Sequence, residues 1–159
     1  ISALRSWLFN HFVSHRIRQL AERQILKGDA LSLAGSNSFF IYSNTDEKAE
    51  LSKRINAKDV HITAPLWGKG ELDSQQEARL FEMEKANEHK IVCKTLETLG
   101  LKQQRRPVLV YPEDFSSEIS DNCVKLSFSL PSGCFATSVL REIVDVRMAN
   151  SPTLAASKP

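Results

Sequence analysis

Leu4, Trp7, Leu8, Phe12, Ile17 and Leu20 recur at close to helical spacing, and neither Gly nor Pro interrupts them before Gly28. The pattern predicts a helix over 3–24 whose polar face carries Arg16, Arg23 and other charged groups. Lys27-Gly28-Asp29 is a turn signal. Two short strands are expected after it, at 30–34 and 38–43, joined through Gly35-Ser36-Asn37 as a hairpin. Asn44 with Glu47 three residues on has capping-box spacing, so a short helix to about 55 follows. Residues 60–65 read as extended and lead into a glycine-broken stretch at 66–71. Asp73 or Ser74 is placed to cap a helical region running to 99, divided or not near Asn87, with Gly100 as its stop.

The pattern changes character after Arg106. Residues 107–111 form an apolar strand by their composition. Segments 115–119 and 123–130 flank Ser120-Asp121-Asn122 as a second hairpin. Val124, Leu126, Phe128 and Leu130 alternate with polar residues, the cleanest period-two pattern in the chain, which predicts a strand with one buried face. Pro131-Ser132-Gly133 ends it, and 135–146 reads as an amphipathic helix on Val139, Leu140, Ile143 and Val144. The small, polar, proline-bearing stretch 150–159 is expected to be disordered. The elements add up to a mixed α/β fold of the α+β kind, with a boundary near 104–107.

Composition narrows the function classes. The chain has 159 residues, 42% of them hydrophobic and 25% charged, an ordinary globular balance that suits one domain or two small ones. No apolar run approaches the ~20 residues of a membrane span, and no signal peptide is visible, so no membrane partner and a cytoplasmic setting are expected. Cys93, Cys123 and Cys134 are an odd, scattered set with no C-x-x-C, which fits neither a disulfide framework nor a cysteine zinc site. The chain starts at Ile1 and not Met, which suggests a piece of a longer protein. The net charge is +2, but residues 1–27 alone balance to +4, and Arg105-Arg106 is an adjacent basic pair after them. That bias suits a polyanion and equally an ordinary solvated helix face.

Four constellations bear on chemistry. His11 and His15 share a helix face at zinc-ligand spacing, yet Phe12 stands where a zinc protease has its Glu, and no third ligand has recognisable spacing; two structural histidines are the simpler reading. Asp59 and His61 point the same way in an extended segment, without an accompanying nucleophile motif, which favours a local structural role. Gly68-Lys69-Gly70 is too short for a phosphate loop and reads as a tight turn beside Trp67. In the strand–turn–helix unit over 124–147, a strand delivers the chain to Ser132-Gly133 and a helix begins with free amides that attract anions. Phe135 there is a core residue on general grounds or a ring facing a planar ligand, and Arg141 is placed for a phosphate or a neighbouring acid.

LSFSLPSGCFATSVLRE at 126–142 resembles the C-terminal motif of the tRNA pseudouridine synthase D (TruD) family. LRSWLFN at 4–10, GDALSLAGSNSFF at 28–40, APLWGKGEL at 64–72 and GLKQQRR at 100–106 resemble that family in the same order, so the likeness spans 1 to about 146. The resemblance implies that 1–106 is most of an insertion domain and that 107–149 is the chain returning to complete the sheet of a catalytic domain. It implies isomerisation of a uridine in tRNA, at position 13 in the bacterial family, to pseudouridine, with no metal or organic cofactor. The base is detached at N1, rotated and rejoined through C5, and the nucleotide must leave its stack to reach the catalytic Asp.

The family carries that Asp in a KDR motif, and neither KDR nor the family's NYFG occurs here. Lys58-Asp59 is followed by Val60 and aligns with the insertion domain. No catalytic residue is therefore expected in this chain; the nucleophile belongs upstream of Ile1. Phe135 matches the family's aromatic against the target uridine, and Arg5, Arg16, Arg105, Arg106 and Arg141 are candidates for RNA phosphates. The expected partners are tRNA and the remaining N-terminal part of the same enzyme, in a monomer. The alternatives are a non-catalytic RNA-binding module and a zinc hydrolase built on His11 and His15.

Overall fold

The computed structural model describes residues 1–145 apart from Glu22 and Asn37. The expected tail at 150–159, and the end of the last helix at 146, lie outside the described residues. The chain divides into two compact units, Ile1–Leu109 and Val110–Pro159. Together they hold five α-helices and two antiparallel sheets among the described residues, a mixed α/β fold.

In the first unit, α1 (Ser2–Gln19) precedes the hairpin β1 (Ala30–Leu33) and β2 (Phe39–Ile41), with Ala30 opposite Ile41 and Ser32 opposite Phe39. A 3-10 turn at Thr45–Glu47 runs into α2 (Lys48–Asn56). The Asn44 side chain accepts from the Asp46 amide at 3.1 Å, so Asn44 does start this helical stretch. β3 (Val60–Leu66), α3 (Gln76–Glu88), α4 (Lys90–Thr98) and β4 (Gln104–Pro107) complete the unit. The sheet order is β2-β1-β3-β4.

β3 is covered along most of its length, as expected of a central strand rich in apolar and β-branched residues. Leu8, Phe9 and Phe12 of α1 pack with Ala64, Trp67, Leu72, Ala86, Cys93 and Leu96 in one buried cluster. Ile25, Leu31, Tyr42, Leu51, Ile55, Val60 and Ile62 make a second, and Val108 packs against both.

Three expectations are corrected in this unit. α1 ends at Gln19, not 24. The chain turns extended at Leu20, and the Arg16 side chain folds back to the Gln24 carbonyl at 2.8 Å. The expected strand 107–111 is β4 at 104–107, paired with β3 from Thr63–Pro107 to Leu66–Gln104. Beyond it the Val108 amide continues the pairing, to the Ile62 carbonyl at 2.9 Å. Neither Asp73 nor Ser74 caps α3. The helix begins after Gln75, the Ala78 amide is met by the Lys27 carbonyl at 3.0 Å, and Ser74 turns its hydroxyl to Glu82. Gly28 makes that approach possible: a Cβ there would lie 1.8 Å from the Gln75 carbonyl oxygen, and its φ is +90°.

The second unit contains the hairpin β5 (Glu113–Ser120) and β6 (Cys123–Ser129), in register from Glu113–Ser129 to Ser120–Cys123 with an irregularity between Glu113 and Ser116. α5 (Ala136–Ile143) follows, and Phe135 occupies its N-cap position. The buried face expected of β6 is not buried. Leu126 and Phe128 are half-covered and Val124 is 55% exposed, because no second layer is packed over the hairpin's apolar side among the described residues.

Candidate nucleic-acid interface

Three of the five candidate arginines are turned inward. Arg16, buried, grips Asp29 with two nitrogens at 2.9 and 2.6 Å, and Asp29 also accepts the Leu26 amide at 2.7 Å. Arg105 closes a similar fork on Glu82, at 2.9 and 2.7 Å, and adds the Thr63 hydroxyl and carbonyl at 2.9 and 2.8 Å. Its side chain is only 4% exposed. Such bidentate guanidinium–carboxylate pairs hold a fold in one arrangement. Arg5 donates to the carbonyls of Leu66, Trp67 and Lys102 and to Gln104 Oε1. The hydrogen bonds of these three run to protein acceptors, while the Arg16 Nε is buried without a hydrogen-bond partner among the described residues.

The other two differ. Arg106 is half-buried with its guanidinium 5.2 Å from the centre of the Phe9 ring, a cation–π arrangement. Arg141 lies in the last turn of α5, exposed and without an ion pair to a described residue. Phe135 is 69% exposed. It follows the Pro131–Cys134 turn, in which Gly133 has φ +84° and the Cys134 amide reaches the Pro131 carbonyl at 3.2 Å. Phe135 itself is extended, and its ring lies largely open to solvent.

The remaining candidates serve the fold. His11 packs between Trp7 and His89, with ring centres 4.1 and 4.6 Å away, and His15 stacks on Phe81 at 4.3 Å. Burial holds both imidazoles below their ordinary pKa, and His89 and Lys85 push His11 further the same way. Among the described residues no group of three or more His, Cys, Asp and Glu is placed to hold a metal ion. Asp59 takes the Arg54 Nε at 2.6 Å. Burial raises the Cys93 thiol to about 11, which keeps it protonated and inert at neutral pH.

Two features escaped the sequence. Glu82 as the partner of Arg105 and Ser74 has no local signal, since 23 residues separate it from Arg105. The Gly68-Lys69-Gly70 turn pairs through Lys69 with Lys102 in an isolated parallel bridge, a register no short-range pattern announces.

This architecture has a counterpart among solved structures. It superposes on a solved structure described as the putative tRNA pseudouridine synthase D of Methanosarcina mazei with a TM-score of 0.66, at 22% identity, over 87% of this chain and 36% of that one. The family model for tRNA pseudouridine synthase D (TruD) matches residues 1–143, and the chain belongs to that family. The tRNA pseudouridine synthase D of Pseudoalteromonas atlantica is 45% identical over 95% of this chain and 43% of its own length. That of Aeromonas hydrophila is 43% identical over 94% of this chain and 42% of its own. The chain thus spans less than half the length of these relatives.

Proposed function

We propose that this chain supplies most of the insertion domain and the C-terminal part of the catalytic domain of a tRNA pseudouridine synthase. The nucleophilic Asp then stands on a segment outside these residues. The observation that carries the reading is a family match across 1–143 of a chain whose matched part covers 43% of its relative's length. The absence of KDR from the sequence supports it. So do the half-covered apolar faces of β6 and α5, which suit the returning edge of a larger sheet. With β4 inside the first unit, the proposed insertion portion extends to 109 and the catalytic portion starts at 110.

Within this reading Phe135 stacks on the target uridine, worth about 1–3 kcal/mol for an aromatic–base contact. Arg106 and Arg141 contact phosphates, which position RNA without reading its sequence. The isomerisation exchanges an N1 glycosidic bond for a C5 bond and releases the C5 hydrogen to water. Release of tritium from tRNA labelled at uridine C5 therefore tests it. The chain alone is expected to release none, and release is expected once the remaining N-terminal segment is supplied as a second polypeptide. Release by the chain alone would overturn the reading and make Asp29, Asp59, Asp114 or Asp121 the nucleophile. Tight tRNA binding with no release even on complementation would favour a non-catalytic RNA-binding module.

A further inference from the structure

We propose that Lys69 and Lys102 form a rigid phosphate clamp for the RNA backbone, an inference that rests on the tRNA reading above. The Lys69 amide donates to the Leu101 carbonyl at 2.5 Å and the Gln103 amide to the Lys69 carbonyl at 3.0 Å. That is a parallel bridge between Lys69 and Lys102. Bridged residues project their side chains to the same face, from backbones about 4.8 Å apart. Both lysines are exposed, and neither forms an ion pair with a described carboxylate. The acids nearest in sequence are engaged elsewhere. Glu71 pairs with Arg79 at 2.5 Å, and Glu97 accepts the Trp67 indole at 2.9 Å.

Arg5 adds a third cation behind the bridge. It donates to the Lys102 carbonyl, and every acceptor it has is neutral, so its charge is not cancelled locally. Like charges placed directly opposite each other on paired backbones oppose folding. Here the backbone nevertheless fixes them. A Cβ on Gly68 would lie 2.4 Å from the Leu101 carbonyl oxygen, and the Gly68 amide is held by Gln103 Oε1 at 2.7 Å. The Gln103 Nε2 is buried beside the bridge without a hydrogen-bond partner among the described residues. A local arrangement that opposes folding, yet is fixed by a glycine and a buried amide, is of the kind that proteins keep at functional sites. Two lysine side chains leaving one face, with no ion pair to a described acid, can meet the oxygens of a phosphodiester.

The test is titration of labelled tRNA with this chain by fluorescence anisotropy across a salt series. Lys69→Gln with Lys102→Gln is compared with Lys69→Arg with Lys102→Arg, and with Lys48→Gln and Lys53→Gln on α2 as a remote control. The double Gln variant is expected to bind more weakly and to lose about one unit of salt-dependence slope per lysine. The Arg pair should restore the slope, and the control should keep it. The thermal midpoint of the Gln variant should not fall, since a repulsion has been removed; a fall would mark the pair as structural and overturn the proposal. An unchanged slope with intact wild-type binding overturns the clamp and leaves the tRNA reading standing. No wild-type binding at the lowest salt also overturns the clamp, whereas the wider reading is judged separately by tritium release on complementation.

Discussion

The two units answer the same physical demand in opposite ways. The first closes two apolar clusters around its four-stranded sheet and ties the helices to it with the buried forks Arg16–Asp29 and Arg105–Glu82. The second has equally clear amphipathic elements, yet none of its described residues is buried. Phe115 and Phe128 stack at 6.0 Å and Ile119 faces Val124 across the hairpin, while Ile119 stays 81% exposed. Periodicity identifies which face of an element is apolar. Whether the same polypeptide covers that face is a separate matter, and a two-stranded hairpin is marginal alone.

The sharpest way to break the comparison is to remove a charge from the first unit's interior. Asp29→Ala leaves the Arg16 guanidinium buried without its carboxylate and is expected to cost about 3–5 kcal/mol. Urea denaturation followed at Trp67 should show the midpoint shift, and a cost below about 1 kcal/mol would mean that the fork is not buried in solution. Next in size is Leu31→Ala. Leu31 is fully buried in the second cluster, and its truncation is expected to cost about 2–5 kcal/mol by the same measurement.

Much of this division was legible in the residues. α2, β3 and both hairpins follow from alternation and turn chemistry, and the break at His89 lies two residues from the predicted joint. What was not legible depended on long-range pairing. β4 is QRRP, which no strand propensity favours. It is a strand because Arg105 is neutralised by Glu82 and bound to Thr63 across the sheet. α1 stops early because Arg16 is drawn to Asp29, beyond the helix. The same contacts engage Arg5, Arg16 and Arg105 within the first unit: sequence shows that a residue is cationic, not where its donors are spent. Phe135 was legible only through the family motif.

A pH series separates the units without a disruptive mutation, because all four histidines lie in the first. The folded pKa values of His11 and His15 are lowered from 6.5, so the unfolded chain binds more protons near and below that pH. Their contribution to stability is complete above about pH 6.5 and is lost as the pH falls through the lowered folded values. Thermal midpoints should drop on acidification in that window, and His15→Phe, which keeps the stack on Phe81, should flatten the dependence. An equally steep profile in that variant would assign the titration to other groups.

The smallest expected effect is also the most diagnostic. Val124→Ala removes two methyl groups from the apolar side of β6, but that side is solvated in this chain. The cost should stay within about 0.5 kcal/mol, the range of surface substitutions. If the second unit completes a larger catalytic sheet, the same substitution should become costly once the N-terminal segment is bound. Burial of methyl groups is worth about 0.8 kcal/mol each, so roughly 1.5 kcal/mol should then appear as weaker association between the two polypeptides. A substitution neutral in both settings would mean that nothing covers this face, and the contrast between the units would then be a permanent property of the protein.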